Sequence, residues 1–456
     1  MNILSYRGPA APGGVSSALE RIFQYEKGNS TNWCFLKESK LEMLSCNAAA
    51  SKEIAFVNLD LVDAHYRYCN DFLWPVVHDM PEYAYLNYSD RLAYFQFNMR
   101  FARSVLRRTN SASSRKFFVN DYQLAPMAAL MTDGSKFSEL SLFWHIPWPR
   151  FVKGSHIECL GEIAEALLGA GTLGFHTDEY AANFLRFVSL NLNAYKVDFK
   201  HRVVHHRAKS VRKTTVTVCP LGLDIQYWSR EAGYPELEHL SSKYSFRSDI
   251  PLVFSVDRAD YTKGLRERLH GIDAFFAAYP EWIEKVQFVQ VCQRSRAGLP
   301  AFDNYWNECK ELFRNLNMRW GSSSWQPLRW IQDPCTASEL QGFYKGAAVM
   351  LVNPRRDGLN LTAKEFVACS RDGVLLLSPE TGVWSELSDY AISLDATSAE
   401  SFAGSIEQSL RMSILEKRQR MRNLKSLVAA NSLQQWWRRF QEVSDYSSLS
   451  DQPILA

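Results

Sequence analysis

At 456 residues the chain is longer than a single hydrophobic core usually supports, so two domains are expected. Apolar residues make up 46% and charged residues 22%, an ordinary balance for a soluble globular protein. The formal net charge of +3 is too small to argue for nucleic acid as a partner. Aromatic residues reach 13%, with 13 Trp; stacking on sugars and packing in large cores account for this equally well. The nine Cys are odd in number and scattered without a CxxC pair. They read as reduced thiols of a cytoplasmic protein rather than a disulfide framework or a zinc site. No apolar run reaches membrane-spanning length and Met1–Arg7 has no signal-peptide character, so no membrane association is expected.

Asn2–Ser5 reads as a short strand running into a Gly/Pro loop, Arg7 to Gly14, and then a helix capped by Ser16 or Ser17. The loop is not GxGxxG. Gly13-Gly14 would let backbone approach a phosphate closely, although a flexible turn explains the stretch as well. Residues 60–78 are dense in Tyr66, Tyr68, Asn70, Trp74 and His78, as core or as the lining of a sugar site. Ser89–Val105 has helical character. Two apolar runs then end in polar residues, one at Asn120-Asp121-Tyr122-Gln123 and one at His145. A lone strand-end His more often makes a structural hydrogen bond. Two polar strand ends in consecutive βα units point to a site, because open α/β sheets bind ligands at the carboxyl ends of their strands. Leu173–Tyr180 repeats the strand-to-helix pattern. The basic stretch Lys200–Lys213, with three His and no carboxylate or Cys at ligand spacing, reads as a solvated hairpin. Residues 225–249 are polar and irregular and mark a domain boundary.

The βα pattern restarts with a strand at Leu252–Val256. It leads through Asp257-Arg258-Ala259-Asp260-Tyr261-Thr262-Lys263-Gly264 to an amphipathic helix ending near Ala278. Arg258 and Lys263 at this turn suit a diphosphate whose charge grows as it leaves; pairing with Asp257 and Asp260 is the competing account. Further strands are expected at Val286–Cys292, Trp330–Gln332, Ala347–Val352 and Val374–Ser378, with a helix near Ser338–Lys345 and a long one over Leu415–Val443. Between the Ala347–Val352 strand and a helical run from Leu361 lies Asn353-Pro354-Arg355-Arg356-Asp357-Gly358-Leu359-Asn360. A strand-loop-helix of this kind offers free amides and a positive dipole end to a phosphate. Asp357 could accept from sugar hydroxyls, and Glu365 follows on the same helix face. The whole is an α/β chain with two Rossmann-like halves and a site expected in the cleft between them. The expected divisions are 1–224, 225–429, and a C-terminal helix of about 430–456 returning to the first half.

Taken in order, these stretches resemble the trehalose-6-phosphate synthases, the retaining GT-B enzymes of glycosyltransferase family 20. The specific motifs are Asp257–Gly264 and Arg356–Leu361 with Ala363-Lys364-Glu365. Arg7–Gly14, Asn70–Pro75, Asp121-Tyr122, His145–Pro147, Gly174-Phe175, Pro220–Asp224 and Ser295-Arg296 support them in order. The resemblance implies transfer of glucose from a nucleoside diphosphate glucose, UDP-glucose among them, to a phosphorylated sugar, with glucose 6-phosphate the leading acceptor. It implies no metal, no other cofactor and no protein nucleophile. The departing phosphate takes the proton of the attacking hydroxyl on the same face.

By the same resemblance Arg258 and Lys263 bind the diphosphate, and Gly14 approaches it from the first half. Asp357 and the backbone of Gly358, Leu359, Asn360 and Leu361 meet the glucose or phosphates. Glu365 holds the ribose, Leu340 joins the donor site, and His145 contacts the donor glucose. Asp121, with His65 and Trp74, serves the acceptor sugar; Arg7 and Arg296 take its phosphate. Five positions depart from the family pattern. His65 stands where a Tyr is usual and Leu36 where a Trp is expected. Ala337 stands for an Arg, and Asn120 and Gln123 replace the two His flanking Asp-Tyr. These changes leave glucosylglycerol-phosphate synthase or cyclitol-coupling chemistry as alternatives, and a non-catalytic sugar-phosphate sensor as one of another class. A homo-oligomer is left open.

Overall fold

Short apolar runs bounded by polar loops become buried strands, and helices bury their apolar stripes on both faces of the resulting sheets. A computed structural model describes residues 1–11, 13–26, 30–109, 116–132, 140–208, 213–230 and 233–449. The chain forms two compact units. One comprises Met1–Leu221 and the segment from Leu433 onward; the other is Gly222–Ser432.

The first unit is built on ten strands, β1 (Asn2–Arg7), β2 (Asn32–Lys37), β3 (Lys40–Ser45), β4 (Lys52–Phe56), β5 (Phe117–Asn120), β6 (Leu140–Phe143), β7 (Thr172–Phe175), β8 (Tyr195–Asp198), β9 (Val203–His206) and β10 (Lys213–Val218). Their order is β4-β3-β2-β1-β5-β6-β7-β10-β9-β8. The centre from β2 to β10 is parallel, and each side ends in antiparallel strands. The basic stretch expected as a hairpin thus lies in the β8-β9-β10 flank, of which residues 209–212 are outside the described residues. Order reverses between β1 and β5, the place where a doubly wound sheet opens a crevice at its strand ends.

The second unit has six parallel strands, β11 (Leu252–Ala259), β12 (Gln287–Arg294), β13 (Leu328–Ile331), β14 (Val349–Val352), β15 (Val374–Leu377) and β16 (Ile392–Ser393). Their order β13-β12-β11-β14-β15-β16 is the dinucleotide-fold order, with its reversal between β11 and β14. The two chemistry-bearing loops expected from sequence, after β11 and after β14, therefore leave neighbouring strands at this reversal.

Three local readings are corrected. The first helix runs Gly14–Tyr25 and is entered through Gly13 at φ 126°, a conformation L side chains rarely adopt; Ser16 and Ser17 lie inside its first turn. Residues 225–249 are not irregular, since they hold helices at Ile225–Trp228 and Leu237–Tyr244. The long C-terminal helix is two, Ile414–Ala429 and Leu433–Leu449. On the latter, Trp436 donates to the Cys219 carbonyl at 2.9 Å and Trp437 to Glu26 Oε1 at 2.8 Å, which fastens it to the first unit. Among the described residues no helix is long and apolar enough to cross a membrane.

One buried group sets the second unit's loops. Arg268 is 0% exposed, although it lies on the apolar stripe of the Leu265–Ala278 helix with Leu265, Leu269 and Ile272. Its Nε donates to Asn353 Oδ1 at 2.7 Å, its Nη1 to Ser255 Oγ at 3.0 Å, and its Nη2 to Asp257 Oδ2. Asn353 in turn donates to the Gly264 carbonyl at 2.7 Å. Gly264, at φ 71°, lies so close that a Cβ would stand 2.2 Å from the Asn353 carbonyl oxygen. Helix, β11 and the start of the β14 loop are thereby fixed to one another. Arg268→Met leaves the Asp257 carboxylate and the Asn353 amide buried without their partner. It should cost about 3–5 kcal/mol, read as a lower urea midpoint for the second unit; a midpoint equal to the parent's would contradict the clip.

Candidate active site

In the second unit, Lys263 leaves a short 3-10 turn, Tyr261–Lys263, that Asp260 caps by accepting from Thr262 N–H at 3.0 Å. Its Nζ lies 2.6 Å from Asp357 Oδ2, and both side chains are largely buried. Asn360 donates from Nδ2 to the same oxygen at 3.0 Å. Asn360 also caps the Leu361–Cys369 helix through Ala363 N–H, and adopts φ 80° to do so; Asn is one of the few residues that tolerates this region. The amides of Gly358, Leu359, Asn360 and Leu361 donate to no backbone carbonyl among the described residues. They stand at a helix N-terminus, where an anion finds both donors and a positive dipole end. Glu365, one face further along that helix, accepts from Tyr344 O–H at 2.9 Å. Arg258 is exposed at the end of β11.

Carboxylates hold these cations in place. Burial alone would raise the Asp260 carboxyl, yet the Arg296 guanidinium beside it, with Arg258, Thr262 N–H and Lys263, brings it down to about 2. Burial raises Asp257 against the pull of Arg268 and Lys263. Arg296, expected at an acceptor phosphate, is paired with Asp260 through a side chain only 6% exposed, and stacks its guanidinium 4.8 Å over Phe302. Leu340 is half-buried in the Ala337–Gly346 helix, whose N-terminus has a capping box of Thr336 and Glu339.

A second loop, not foreseen from sequence, clamps the first. Asp357 N–H donates to the Glu380 carbonyl at 3.0 Å, Gly382 N–H to the Asp357 carbonyl at 3.1 Å, and Val383 N–H to the Leu359 carbonyl at 2.9 Å. Arg356, 2% exposed, adds an ion pair to Glu380 at 3.0 Å. A Cβ on Gly382 would stand 2.0 Å from the Gly358 carbonyl oxygen. The only sequence signal for this clamp is Gly382 itself, two residues beyond Glu380.

In the first unit the expected residues gather at the β1/β5 reversal. Arg7 ends β1 half-buried, and Gly13 and Gly14 are exposed at the start of the first helix. Asp121 follows β5 at φ 72°. Its Oδ1 accepts from His145 N–H at 3.1 Å. Burial raises its carboxyl to about 7, against the hydrogen bonds from Tyr122 N–H and His145 N–H. Trp74, preceded by a π-helical turn at Tyr68–Leu73, packs 4.0 Å from the His78 ring and 5.9 Å from Tyr122. His65 is placed differently from the expected acceptor contact. It is 0% exposed, enclosed by Tyr6, Tyr94 and Phe97, and its Nε2 bonds the Gln123 carbonyl at 2.9 Å. Burial lowers it to about 4, so it is a neutral core ring. His145 is also buried and lowered, to about 3, by desolvation; its partners are His176 and Asn120. Among the described residues no group of three or more His, Cys, Asp or Glu is arranged to hold a metal ion.

Known proteins resemble this chain in sequence and in fold. The sequence profile described as Glycosyltransferase family 20 matches residues 5–445. A bifunctional trehalose-6-phosphate synthase/phosphatase of Thermoproteus tenax is 31% identical over 374 residues, 81% of this chain but only 50% of that protein. The chain thus spans about half the length of this relative. A trehalose-6-phosphate synthase of Mycolicibacterium paratuberculosis is 29% identical over 445 residues, covering 94% of this chain and 89% of the relative. The solved trehalose-6-phosphate enzyme of E. coli bound with UDP-2-fluoro glucose superposes with a TM-score of 0.86 at 23% identity, over 99% of both chains. That likeness shows the fold, GT-B with two Rossmann-like units. With a family match over nearly its whole length, the chain belongs to glycosyltransferase family 20.

Proposed function

We propose that the chain moves glucose, with retention, from UDP-glucose to glucose 6-phosphate and so forms trehalose 6-phosphate. The observation that carries this reading is the Lys263–Asp357–Asn360 cluster at the β11/β14 reversal, beside the helix-terminal amides of Gly358–Leu361. A diphosphate arriving there would take Lys263 from Asp357 and join Arg258 and the amides. Asp357, relieved of its cation, would then accept from glucose hydroxyls, still oriented by Asn360. Glu365, already held by Tyr344, would accept from the ribose, with Leu340 and Gly14 the remaining donor contacts. As the bond to the diphosphate breaks, its new negative charge meets fixed cations and amides that need no reorganisation. The phosphate oxygen would take the acceptor hydroxyl's proton on the face it leaves. Asp121 and Trp74 would hold the acceptor sugar, and Arg7 and Arg296 its phosphate, with Arg296 exchanging Asp260 for it.

One observation favours a second reading of the acceptor. His65 is enclosed in the core and offers no hydroxyl where the family usually has Tyr, and Leu36 is half-buried at the Trp position. A glycerol phosphate, smaller than a hexose phosphate, would need less of that lining, and a cyclitol phosphate would present its hydroxyls to it differently. Incubation with UDP-, ADP- and GDP-glucose against glucose 6-phosphate, glycerol 3-phosphate and cyclitol phosphates, read by nucleotide release, decides between them. Release with no pair, despite binding, would make the chain a sugar-phosphate sensor.

Arg258→Ala and Lys263→Ala should each lower turnover at least about 100-fold, the exposed Arg258→Ala with little change in unfolding; near-normal turnover in both would remove the phosphate role. Gly382→Ala should raise the donor KM about tenfold or more by pushing on the Gly358 carbonyl. Gly404→Ala, whose Cβ meets nothing closer than 3.9 Å, should leave it unchanged. Ionised, Asp121 can accept from the acceptor's hydroxyls with both oxygens; protonated, one of them becomes a donor. Below about pH 7 its protonated form grows, and the acceptor KM should rise about tenfold per pH unit. The acceptor phosphate has its own pKa near 6, so the check is Asp121→Asn. Its profile should lose the upper limb and keep the lower one.

A further inference from the structure

We propose that His176 is a positioning residue that fixes His145 as a neutral ring with its single proton on Nε2, so that His145 serves the reaction as an N–H donor and not as a base. The inference rests on the reading above, in which His145 contacts the donor glucose, and adds to it the protonation that the contact requires.

A backbone amide sets the proton position of His176. Leu221 N–H donates to His176 Nδ1 at 3.3 Å. A ring nitrogen that accepts cannot carry a proton, so neutral His176 has its proton on Nε2. His176 Nε2 lies 3.2 Å from His145 Nδ1 and therefore donates to it. His145 Nδ1 is then an acceptor, its proton is on Nε2, and that nitrogen lies 2.9 Å from Asn120 Oδ1, which can only accept. Every contact in the series, Leu221 to His176 to His145 to Asn120, is satisfied in one direction and in no other. The three side chains are each at least nine-tenths buried, and their rings are pinned by Phe143 at 4.6 Å from His145 and 5.0 Å from His176, with Trp436 6.3 Å from His145. The nearby carboxylate, Asp121, engages the His145 backbone N–H and not the ring.

Adding a proton to His145 would place a donor against the His176 N–H, in a site whose burial already disfavours the charged ring. The series thus holds the ring neutral through the ordinary working range. Its far end is the departure noted in the sequence: Asn120 stands where the family has His. An amide oxygen accepts from the His145 N–H until a sugar oxygen takes its place.

The test is the tautomer itself. Protein labelled with 15N in its histidine rings, with the His145 signals assigned by their loss in His145→Gln, should show a protonated Nε2 and an unprotonated Nδ1, unchanged from about pH 6 to about pH 8. Imidazolium or an Nδ1-protonated ring overturns the proposal whether or not the chain transfers glucose. A supporting measurement uses two variants. In His176→Gln the amide can accept from Leu221 and donate to His145, so the His145 signals should stay and turnover should stay within about threefold of the parent's. In His176→Leu the signals should become those of a mixture of tautomers, and kcat should fall about tenfold or more with a smaller change in KM. Equal loss in both variants with unchanged His145 signals also overturns it.

Discussion

The second unit depends on a charge placed where an apolar side chain would be expected. Arg268 sits inside the sheet-helix interface and spends its donors on β11, through Ser255 and Asp257, and on Asn353, the first residue after β14. Desolvating a guanidinium costs several kcal/mol, so burial of this kind rarely adds net stability over a hydrophobic filling. What it supplies here is registration. Two loops that leave adjacent strands at the sheet's reversal are referred to the same rigid group, and Gly264 lets them come into van der Waals contact. Lys263 and Asp357 then meet at hydrogen-bonding distance because their loops have been set beforehand.

The same unit keeps its cations with partners. Lys263 rests on Asp357, Arg296 on Asp260, Arg356 on Glu380. For the proposed diphosphate site this has two effects. The cations are not left buried alone, which would be costly. Under that proposal Lys263 and Arg296 would also be released only to something that outcompetes a carboxylate, as a phosphate group would and a neutral sugar would not.

How much of this could be read in the chain follows from what each feature needs. Alternating buried runs and polar strand ends are local, so the βα order, the β11 and β14 loops, and the strand ends at Asp121 and His145 were legible. The Gly13 entry was misread because Ser16 and Ser17 are good caps by type, whereas the turn needed a positive φ that Ser resists. The strands β2 to β4 and the Pro300–Trp320 helix went unnamed, being ordinary amphipathic segments with no chemistry to draw attention. His65 was expected at the acceptor only because it stands where the family usually has a Tyr; the packing of Tyr6, Tyr94 and Phe97 shows that it faces inward. Arg268 and the Glu380–Val383 clamp act through residues distant in sequence. Their traces are a charge interrupting an apolar stripe and a single glycine shortly after Glu380.

The C-terminal helix, Leu433–Leu449, completes the unit in which the chain begins, while the second unit is spelled out whole between Gly222 and Ser432. During synthesis the ribosome therefore delivers a finished six-stranded sheet before it delivers Trp436. Until that residue emerges, the pocket lined by Phe118, Phe143 and the Cys219 carbonyl has no plug, and the His145 ring lacks one of its walls. The half that starts first is sealed last, after all of Gly222–Ser432 has been made.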